Sequence, residues 1–196
     1  MSVKSFSISE TVSKAWKLTK ANIGFLVGVV LIAWIFPMLI TKLLGEGLLS
    51  SLLSSAASII ISIGLINISL KIISGKKPKF ENLYESYPVF FSYLFASVLV
   101  GLMVIVGLIF LIIPGIYLAL KYQFAPYLVI DKKMGAIEAI KKSGEMTKGK
   151  LMDLFFLALV MLLINILGVL ALGVGLLVST PVSMLSVAYV YKKLNK

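Results

Sequence analysis

The sequence predicts an all-α fold: a polytopic membrane helical bundle of about six transmembrane helices in three hairpins, with amphipathic cytoplasmic surface helices. Hydrophobic residues make up 60% of the 196 residues, whereas a soluble domain contains about 45–50%. Many of them form uninterrupted runs of the length that an α-helix needs to cross a bilayer, about 20 residues. The 19 basic residues, all of them lysines, lie mainly between those runs. The pattern predicts a single integral membrane domain over residues 1–196.

Two apolar runs near the N-terminus form the first predicted hairpin, over residues 23–74. They extend from Ile23 to Thr41 and from Leu48 to Leu70, and a short segment with two glycines separates them. Each run is long enough for one span. They therefore predict transmembrane helices 1 and 2.

The two later apolar runs are each too long for a single span. In residues 88–130, Pro114 and Gly115 mark the predicted break between helices 3 and 4, because proline disfavours helix in the residue before it and glycine permits a turn. Residues 151–191 are predicted to fold back within residues 168–175, which contain three glycines. These breaks give helices 3 to 6.

The positions of the lysines predict how the spans are oriented. Seventeen of the nineteen lie before helix 1, between helices 2 and 3, between helices 4 and 5, or after helix 6; the other two are Lys42 and Lys121. Because positively charged loops stay in the cytoplasm, we expect a multi-pass protein of the cell membrane with both termini cytoplasmic. The first apolar run begins only at Ile23 and has no small-residue cleavage site after it, so no cleavable signal peptide is predicted.

The predicted cytoplasmic segments are the amphipathic residues 1–22 and 131–150 and the basic loop 75–87. Residues 10–26 and 138–154 align at a constant offset of 128. Their identities are Glu10/Glu138, Lys14/Lys142, Thr19/Thr147, Lys20/Lys148 and Leu26/Leu154. A weaker third copy, over residues 79–91, matches at Glu81, Leu83 and Ser86. The alignment predicts parallel repeats about an axis along the membrane normal, although so narrow a composition also produces chance matches.

Small residues in the first hairpin predict a packed helix interface. Serines recur at every fourth position of helix 2, and small residues let helix backbones approach closely in lipid. These serines are Ser50, Ser54, Ser58 and Ser62. Gly24 and Gly28 of helix 1 form a GxxxG motif that can meet this face. The alternative is that the serines line a polar pore, although serine hydroxyls in helices usually bond to their own backbone.

The residue types that the chain lacks argue against most enzymatic chemistry. It contains no cysteine and no histidine, so thiolate nucleophiles, the commonest general base and the commonest metal ligand are missing. We therefore predict no catalytic residue, no metal and no cofactor, and a protein that is not an enzyme. The net charge of +11 is interpreted as topology and contact with anionic lipid headgroups on the cytoplasmic side, rather than as nucleic-acid binding.

A stretch of about 40 residues from Pro114 to Leu151 carries a family resemblance. Its matching pieces are the Ile-Pro-Gly turn, Lys121-Tyr122, Phe124-Ala125, and a helix containing Ala139, Ser143 and Thr147-Lys148-Gly149. With these pieces the chain resembles the glycerophosphoryl diester phosphodiesterase membrane domain and its relatives, which implies a multi-span helical domain. In some members such a domain precedes a TIM-barrel phosphodiesterase, a fold of about 250 residues. This chain has no room for that barrel, so phosphodiesterase activity is not expected.

Lys121 lies ten residues before Asp131, about 15 Å along a helix with a rise of about 1.5 Å per residue. A lysine near mid-membrane costs at least about 2.5 kcal/mol, and three accounts of it remain open. The helix can break at Pro126, so that the lysine reaches the interface or meets freed carbonyl groups. Lys121 can also form an ion pair with Asp153, which can equally lie among interfacial lysines. Finally, it can line a polar cavity that holds a lipid phosphate, whose residues would be Lys121, Tyr117, Tyr122, Gln123 and Asn165.

These patterns leave two main functional hypotheses. The first is a non-enzymatic lipid-interacting or membrane-assembly module, whose partners are membrane lipids and either a membrane-protein partner or further copies of the chain. The alternative is a small-solute or lipid transporter or channel built from parallel helical-hairpin repeats. The spans contain few charged groups that could couple an ion gradient, which favours the first. A lipid-modifying enzyme is a third class, in which Asp153, Glu145 or Lys121 would act without histidine or cysteine.

Overall fold

The computed structural model describes residues 6–195, which form helices and loops without β-strands. The α-helices of this range are α1 (Ile8–Ala21), α2 (Ile23–Leu44), α3 (Leu48–Ile73), α4 (Phe90–Phe110), α5 (Ile112–Tyr122), α6 (Ala125–Lys132), α7 (Ala136–Met146), α8 (Leu151–Leu170) and α9 (Leu176–Leu194). Two short 3-10 helices, Phe80–Leu83 and Tyr87–Val89, connect α3 to α4. The predicted all-α fold is confirmed. Lys4 and Lys196, which the topology prediction uses, lie outside the described residues.

Within residues 6–195, four helical segments are long and apolar enough to cross a membrane. They are Ile23–Leu44, Leu48–Ile73, Phe80–Phe110 and Leu151–Leu170. The predicted count of six spans is not confirmed. The segment predicted as helix 4 is divided into the short helices α5 and α6, and α9 is less apolar because it contains Pro181, several serines and two lysines.

The break between α4 and α5 lies three residues before the predicted one. Leu111 has an extended backbone (φ −165°, ψ 150°) and separates the two helices. Pro114 is instead the third residue of α5, in a first turn where helix N–H groups have no intrahelical partner. Gly115 serves close packing, because a Cβ on Gly107 of α4 would lie 2.9 Å from its Cα. The sequence thus predicted the break to within three residues, but Pro114 and Gly115 lie inside α5 and not in the connection.

The connection from α5 to α6 lies close to Pro126, where one of the three accounts of Lys121 allowed a break, and the connection from α8 to α9 lies in the predicted segment. α6 begins directly before Pro126, which occupies its first turn, and Gln123 and Phe124 separate it from α5. The connection from α8 to α9 falls within residues 168–175, where Leu172 and Gly173 both have positive φ angles of 56° and 76°. Proline in a first turn and glycine after a helix end are both typical of helix boundaries.

The core is centred on α3, α6 and α9. α3 contacts both α6 and α9, while α2 packs on α3, α4 on α5 and α8 on α9. The ring of Tyr191 in α9 is fully buried and lies 5.4 Å, between centroids, from the ring of Tyr127 in α6. Phe124, also fully buried, adds a third ring to this group. Aromatic side chains therefore fill the contact between the α6 and α9 helices.

The predicted contact between the GxxxG motif and the serine-rich face does not form. A Cβ on Gly28 would meet only the ring of Phe80, and one on Gly24 would meet nothing within 4 Å. Ser54 Oγ instead donates to Pro37 O of α2 at 3.2 Å. The other three hydroxyls bond locally: Ser50 donates to Gly47 O, Ser58 to Ser54 O and Ser62 to Ser58 O. Phe80 occupies the space beside Gly28, so one serine joins α3 to α2 and the GxxxG motif plays no part in that contact.

Glu10 attaches α1 to the end of α9. Its carboxylate accepts hydrogen bonds from Lys193 Nζ, at 2.7 Å, and from the Tyr189 hydroxyl. The bond from Lys193, and then that from Tyr189, lowers the pKa of Glu10 below its ordinary value of 4.5. A carboxyl whose pKa is depressed by folding stabilises the fold above its ordinary pKa, and this contribution is lost as the pH falls through the depressed value.

We therefore expect the thermal stability of the purified protein to decrease between pH 5 and pH 3 more in the wild type than in Glu10→Gln. A series of melting curves across this range in one detergent measures the difference. Glu138→Gln is the matched control, because Glu138 lies at the aligned position of α7 and no ion pair involves it within residues 6–195. Equal pH dependence of the wild type and Glu10→Gln would contradict the role of Glu10.

Candidate functional site

The junction of α5 and α6 is held by two hydroxyl groups, those of Ser143 in α7 and of Thr147, the residue that caps the C-terminal end of α7. Ser143 Oγ donates to Lys121 O at 3.0 Å and accepts from the Phe124 N–H at 3.2 Å. Thr147 Oγ1 also lies 3.0 Å from Lys121 O, and equally close to Ser143 O, so its single hydrogen serves one of the two at a time. Backbone groups at a helix break need partners when they are buried. α7 therefore supplies the polar groups that the interrupted helix lacks.

The Lys121 side chain lies between two tyrosine rings. Its Nζ is 5.3 Å from the centroid of the Tyr117 ring and 5.4 Å from that of Tyr122, within cation–π distance. A Cβ added to Gly144 of α7 would be 3.3 Å from the Tyr122 ring and 3.5 Å from Lys121 Cε. The glycine at position 144 thus gives the lysine and the tyrosine room to lie directly against α7.

Asp153 lies close to a different lysine. Its Oδ2 is 3.8 Å from Lys150 Nζ, and 45% of the Asp153 side chain is exposed. Within residues 6–195, no ion pair joins Asp153 to Lys121. Asp153 is therefore paired with a lysine of the preceding turn, because it lies in the first turn of α8, three residues after Lys150.

The side chains of Gln123 and Asn165, which the sequence placed with Lys121, have other surroundings. Gln123 lines a largely apolar cavity of about 370 Å³, whose other lining residues are Tyr127, Leu154, Leu157, Ala158, Met161, Ser183, Met184 and Val187. Asn165 of α8 donates to Ser183 Oγ and accepts from Ser179 Oγ, both at 2.8 Å, and so joins α8 to α9. The predicted polar cavity is thus divided, with Tyr117 and Tyr122 alone accompanying Lys121.

Sequence reasoning missed the roles of the α7 hydroxyls. Ser143 and Thr147 were part of the family resemblance, but nothing marked them as partners of the α5–α6 junction. The available signal was their four-residue spacing, which Ala139 extends by one turn. All three residues are fully buried in the structure. A stripe of small and hydroxyl residues on a short charged helix indicates a tightly packed face.

Comparisons with known proteins add one relative. No protein-family model and no solved structure matches the chain. A stretch of 66 residues is 35% identical to a UPF0259 membrane protein from Pectobacterium carotovorum and covers 34% of this chain. The chain spans only 26% of the length of that relative. Together with the four apolar helices, this similarity supports a membrane protein; the resemblance to the glycerophosphoryl diester phosphodiesterase membrane domain is not confirmed.

Proposed function

We propose that the protein is a non-enzymatic membrane module that binds anionic phospholipid headgroups at the junction of α5, α6 and α7. The observation that carries this proposal is that the Lys121 side chain has no carboxylate partner in the described residues. Within residues 6–195, no carboxylate lies within ion-pair distance of it, and its neighbours are two tyrosine rings. A charged side chain among apolar helices requires a partner. A lipid phosphate supplies the missing negative charge.

The surroundings of Lys121 fit a headgroup better than a buried ion. Tyr117 is 45% exposed, so its hydroxyl can donate a second hydrogen bond to a phosphate beside the ammonium group. Two exposed lysines lie close by in the chain: Lys141 in α7, and Lys148 in the turn that follows it. Each lysine near an anionic bilayer surface contributes about 1 kcal/mol of attraction. The site is therefore a cation with a neutral hydrogen-bond donor beside it, next to α7.

The order of the helices supports the proposed internal repeat. α1, α2 and α3 begin at residues 8, 23 and 48, and α7, α8 and α9 begin at residues 136, 151 and 176, which is the alignment offset of 128 each time. The buried residues of the surface helices also correspond. Thr11, Ala15 and Thr19 align with Ala139, Ser143 and Thr147, and all six are fully buried. The cytoplasmic orientation of both termini remains a proposal that is based on the lysine-rich loops.

The contacts between elements support a third, divergent unit in the middle. The 3-10 helix Phe80–Leu83 packs on α3, α7 packs on α6, and α1 packs on α9. The second and third surface segments thus contact the last helix of the preceding unit. The first surface segment, α1, contacts the last helix of the third unit, so the three units form a ring. This order is what three parallel units about one axis would produce. Residues 79–91 differ from the other copies in forming two 3-10 helices.

A transporter or channel is the second candidate, favoured by the interruption between α5 and α6. Discontinuous helices in parallel repeats often build solute sites in transporters. Here, however, the Ser143 hydroxyl of α7 already forms hydrogen bonds with the Lys121 carbonyl and the Phe124 N–H at the junction. Ion and fluorescent-solute flux into liposomes that contain the purified protein separates the two candidates, since a lipid-binding module gives no flux above empty liposomes.

Lys121→Ala is expected to reduce the anionic phospholipid that remains on the gently extracted protein about tenfold or more. A hydrogen bond to a charged group contributes about 1.5–3 kcal/mol, and about 1.4 kcal/mol corresponds to a factor of ten. Native mass spectrometry counts the retained lipids. The melting temperature should stay nearly constant, because the described contacts of the ammonium group are with the two tyrosine rings.

Lys42→Ala is the matched control. Lys42 is exposed and lies in the last turn of α2, so its removal changes the net charge equally without touching the α5–α7 junction. Equal lipid retention by the wild type and both variants would rule out the proposed site. Solute flux by the wild type, or turnover of labelled phospholipid, would overturn the non-enzymatic binding role itself.

A further inference from the structure

The ends of α3, α6 and α9 form a basic trough. Three adjoining cavities of about 350, 220 and 480 Å³ make up this trough. The first two share Ser74, Asp131 and Lys192, and the second and third share Lys71 and Lys76. Seven lysines and three carboxylates line it. The lysines are Lys71, Lys76, Lys77, Lys79, Lys132, Lys192 and Lys193.

Two of the three carboxylates already have lysine partners in the walls of the trough. Asp131 accepts from Lys192 Nζ at 2.7 Å and from the Tyr191 hydroxyl at 2.8 Å. Glu85 pairs with Lys71 at 2.5 Å. The third carboxylate, Glu81, faces the trough among the lysines of the loop that follows α3. The carboxylates are thus too few to neutralise the lysines that line the trough.

Four of the lining lysines have no carboxylate within ion-pair distance in residues 6–195. They are Lys76, Lys77, Lys79 and Lys132. Three of them lie on a loop that both ends hold in place. Gly75, with φ 77°, ends α3 so that the N–H of Lys76 bonds back to Lys71 O at 2.9 Å. At the other end, the N–H of Lys79 donates to Asn82 Oδ1 at 2.9 Å.

Asn82 in turn fixes this loop to α3. Its carbonyl accepts from Asn67 Nδ2 at 3.1 Å, its Nδ2 donates to Glu85, and the residue is 5% exposed. Holding like charges near one another without counterions is unfavourable. This loop is anchored at both ends and still holds three lysines without carboxylate partners. A bound anion would supply the missing negative charge.

We propose that this trough binds a phosphate-bearing ligand that carries at least two negative charges. Lysine ammonium groups bind phosphates as point charges, and the two larger cavities, of about 350 and 480 Å³, lie in the range of small-ligand sites, about 300–1,000 Å³. Apolar residues of the core helices also line the trough, among them Leu70, Ile73 and Ile130. The phosphate belongs either to a free soluble molecule or to the headgroup of a lipid.

This inference is independent of the Lys121 site. Lys121 does not line any of the three cavities, and its neighbours are on α5 and α7. Lys121→Ala should lose lipid but bind a phosphate ligand in the trough as the wild type does. Loss of trough binding by substitution of the trough lysines should in turn leave lipid retention at Lys121 unchanged, so each proposal can fail without the other.

Inorganic pyrophosphate is the soluble probe. Titration calorimetry with the full chain in phosphatidylcholine nanodiscs is expected to show saturable binding with one site per chain. Lys76→Ala combined with Lys77→Ala should weaken it about tenfold or more, which is about 1.4 kcal/mol, because the double variant removes two donors of charge-assisted hydrogen bonds. Neither lysine forms an ion pair within residues 6–195, so the double variant leaves no described carboxylate without a partner.

Lys14→Ala combined with Lys17→Ala is the matched control, since it removes two exposed lysines from α1, outside the trough. It should change pyrophosphate binding less than about twofold, the size of a weak screened effect. A second arm uses nanodiscs that contain phosphatidic acid, with hydrogen exchange of residues 75–82 as the measurement. Protection there without pyrophosphate binding assigns the phosphate to a lipid. No response to either probe, or equal weakening by both double variants, would overturn the proposal.

Discussion

Gly64→Val is expected to destabilise the protein by about 3 kcal/mol or more, at the upper end of the cost of overpacking a filled interior. A Cβ at position 64 would lie 2.2 Å from Leu83 O and 2.4 Å from Leu83 Cα. Both are backbone atoms, so no rotation of a side chain can relieve the clash. The 3-10 helix Phe80–Leu83 would have to move away from α3, and the hydrogen bond from Asn67 to Asn82 O would be lost with it.

Melting curves in one detergent, with hydrogen exchange of residues 79–85, measure this effect. Gly101→Val is the matched control, because Gly101 also lies inside an apolar helix, α4, and a Cβ there would meet nothing within 4 Å. We expect the control to melt like the wild type, since valine is well tolerated in a membrane helix. Similar melting temperatures of the two variants would show that the loop is not packed against Gly64.

The sequence predicted well those helix boundaries that depend on adjacent residues. The starts of α2 and α3, at Ile23 and Leu48, agree with the starts of the apolar runs, because a change from polar to apolar residues marks where a helix enters the hydrophobic part of the molecule. The connection between α8 and α9 lies within the predicted glycine-containing stretch. Such boundaries depend on a few adjacent residues.

The elements that the sequence did not predict depend on contacts between distant residues. Gly64 meets Leu83, and Asp131 meets Tyr191, 60 positions away. No periodicity within a single helix indicates which helix will lie opposite. For the same reason, the GxxxG motif was assigned to the serine face, whereas Phe80 from a separate loop lies beside Gly28.

The candidate site was predicted in part. The sequence singled out Lys121 and the flanking tyrosines because a charge inside an apolar run is costly and therefore visible. It wrongly grouped Asn165 with them, since a polar residue in one apolar helix can face any of its neighbours. The actual partners of Asn165 are serines on α9. Hydroxyl groups such as Ser143 cost little and gave no comparable signal.

Ser143→Ala is expected to loosen α7 from the α5–α6 junction and to destabilise the protein by about 1–3 kcal/mol, the cost of a buried polar group without a partner. The change leaves the Phe124 N–H, in a fully buried residue, without its acceptor. The Lys121 carbonyl keeps Thr147 as a donor. Thr147→Val, which has nearly the same shape, should therefore cost less than Ser143→Ala, because Ser143 continues to serve both backbone groups.

The aligned position in α1 indicates why a hydroxyl is needed here. Ala15 corresponds to Ser143 and is equally buried, but it packs with Val182 and Leu185 of α9, which has no break between two helices at this contact. Hydrogen exchange of α7, together with the melting temperature, distinguishes a detached α7 from general unfolding. Since Gly144 on the same helix adjoins Lys121 and Tyr122, detachment should also lower lipid retention. Wild-type stability and exchange in Ser143→Ala would contradict the structural role of this hydroxyl, and the lipid site would then have to depend on α5 alone.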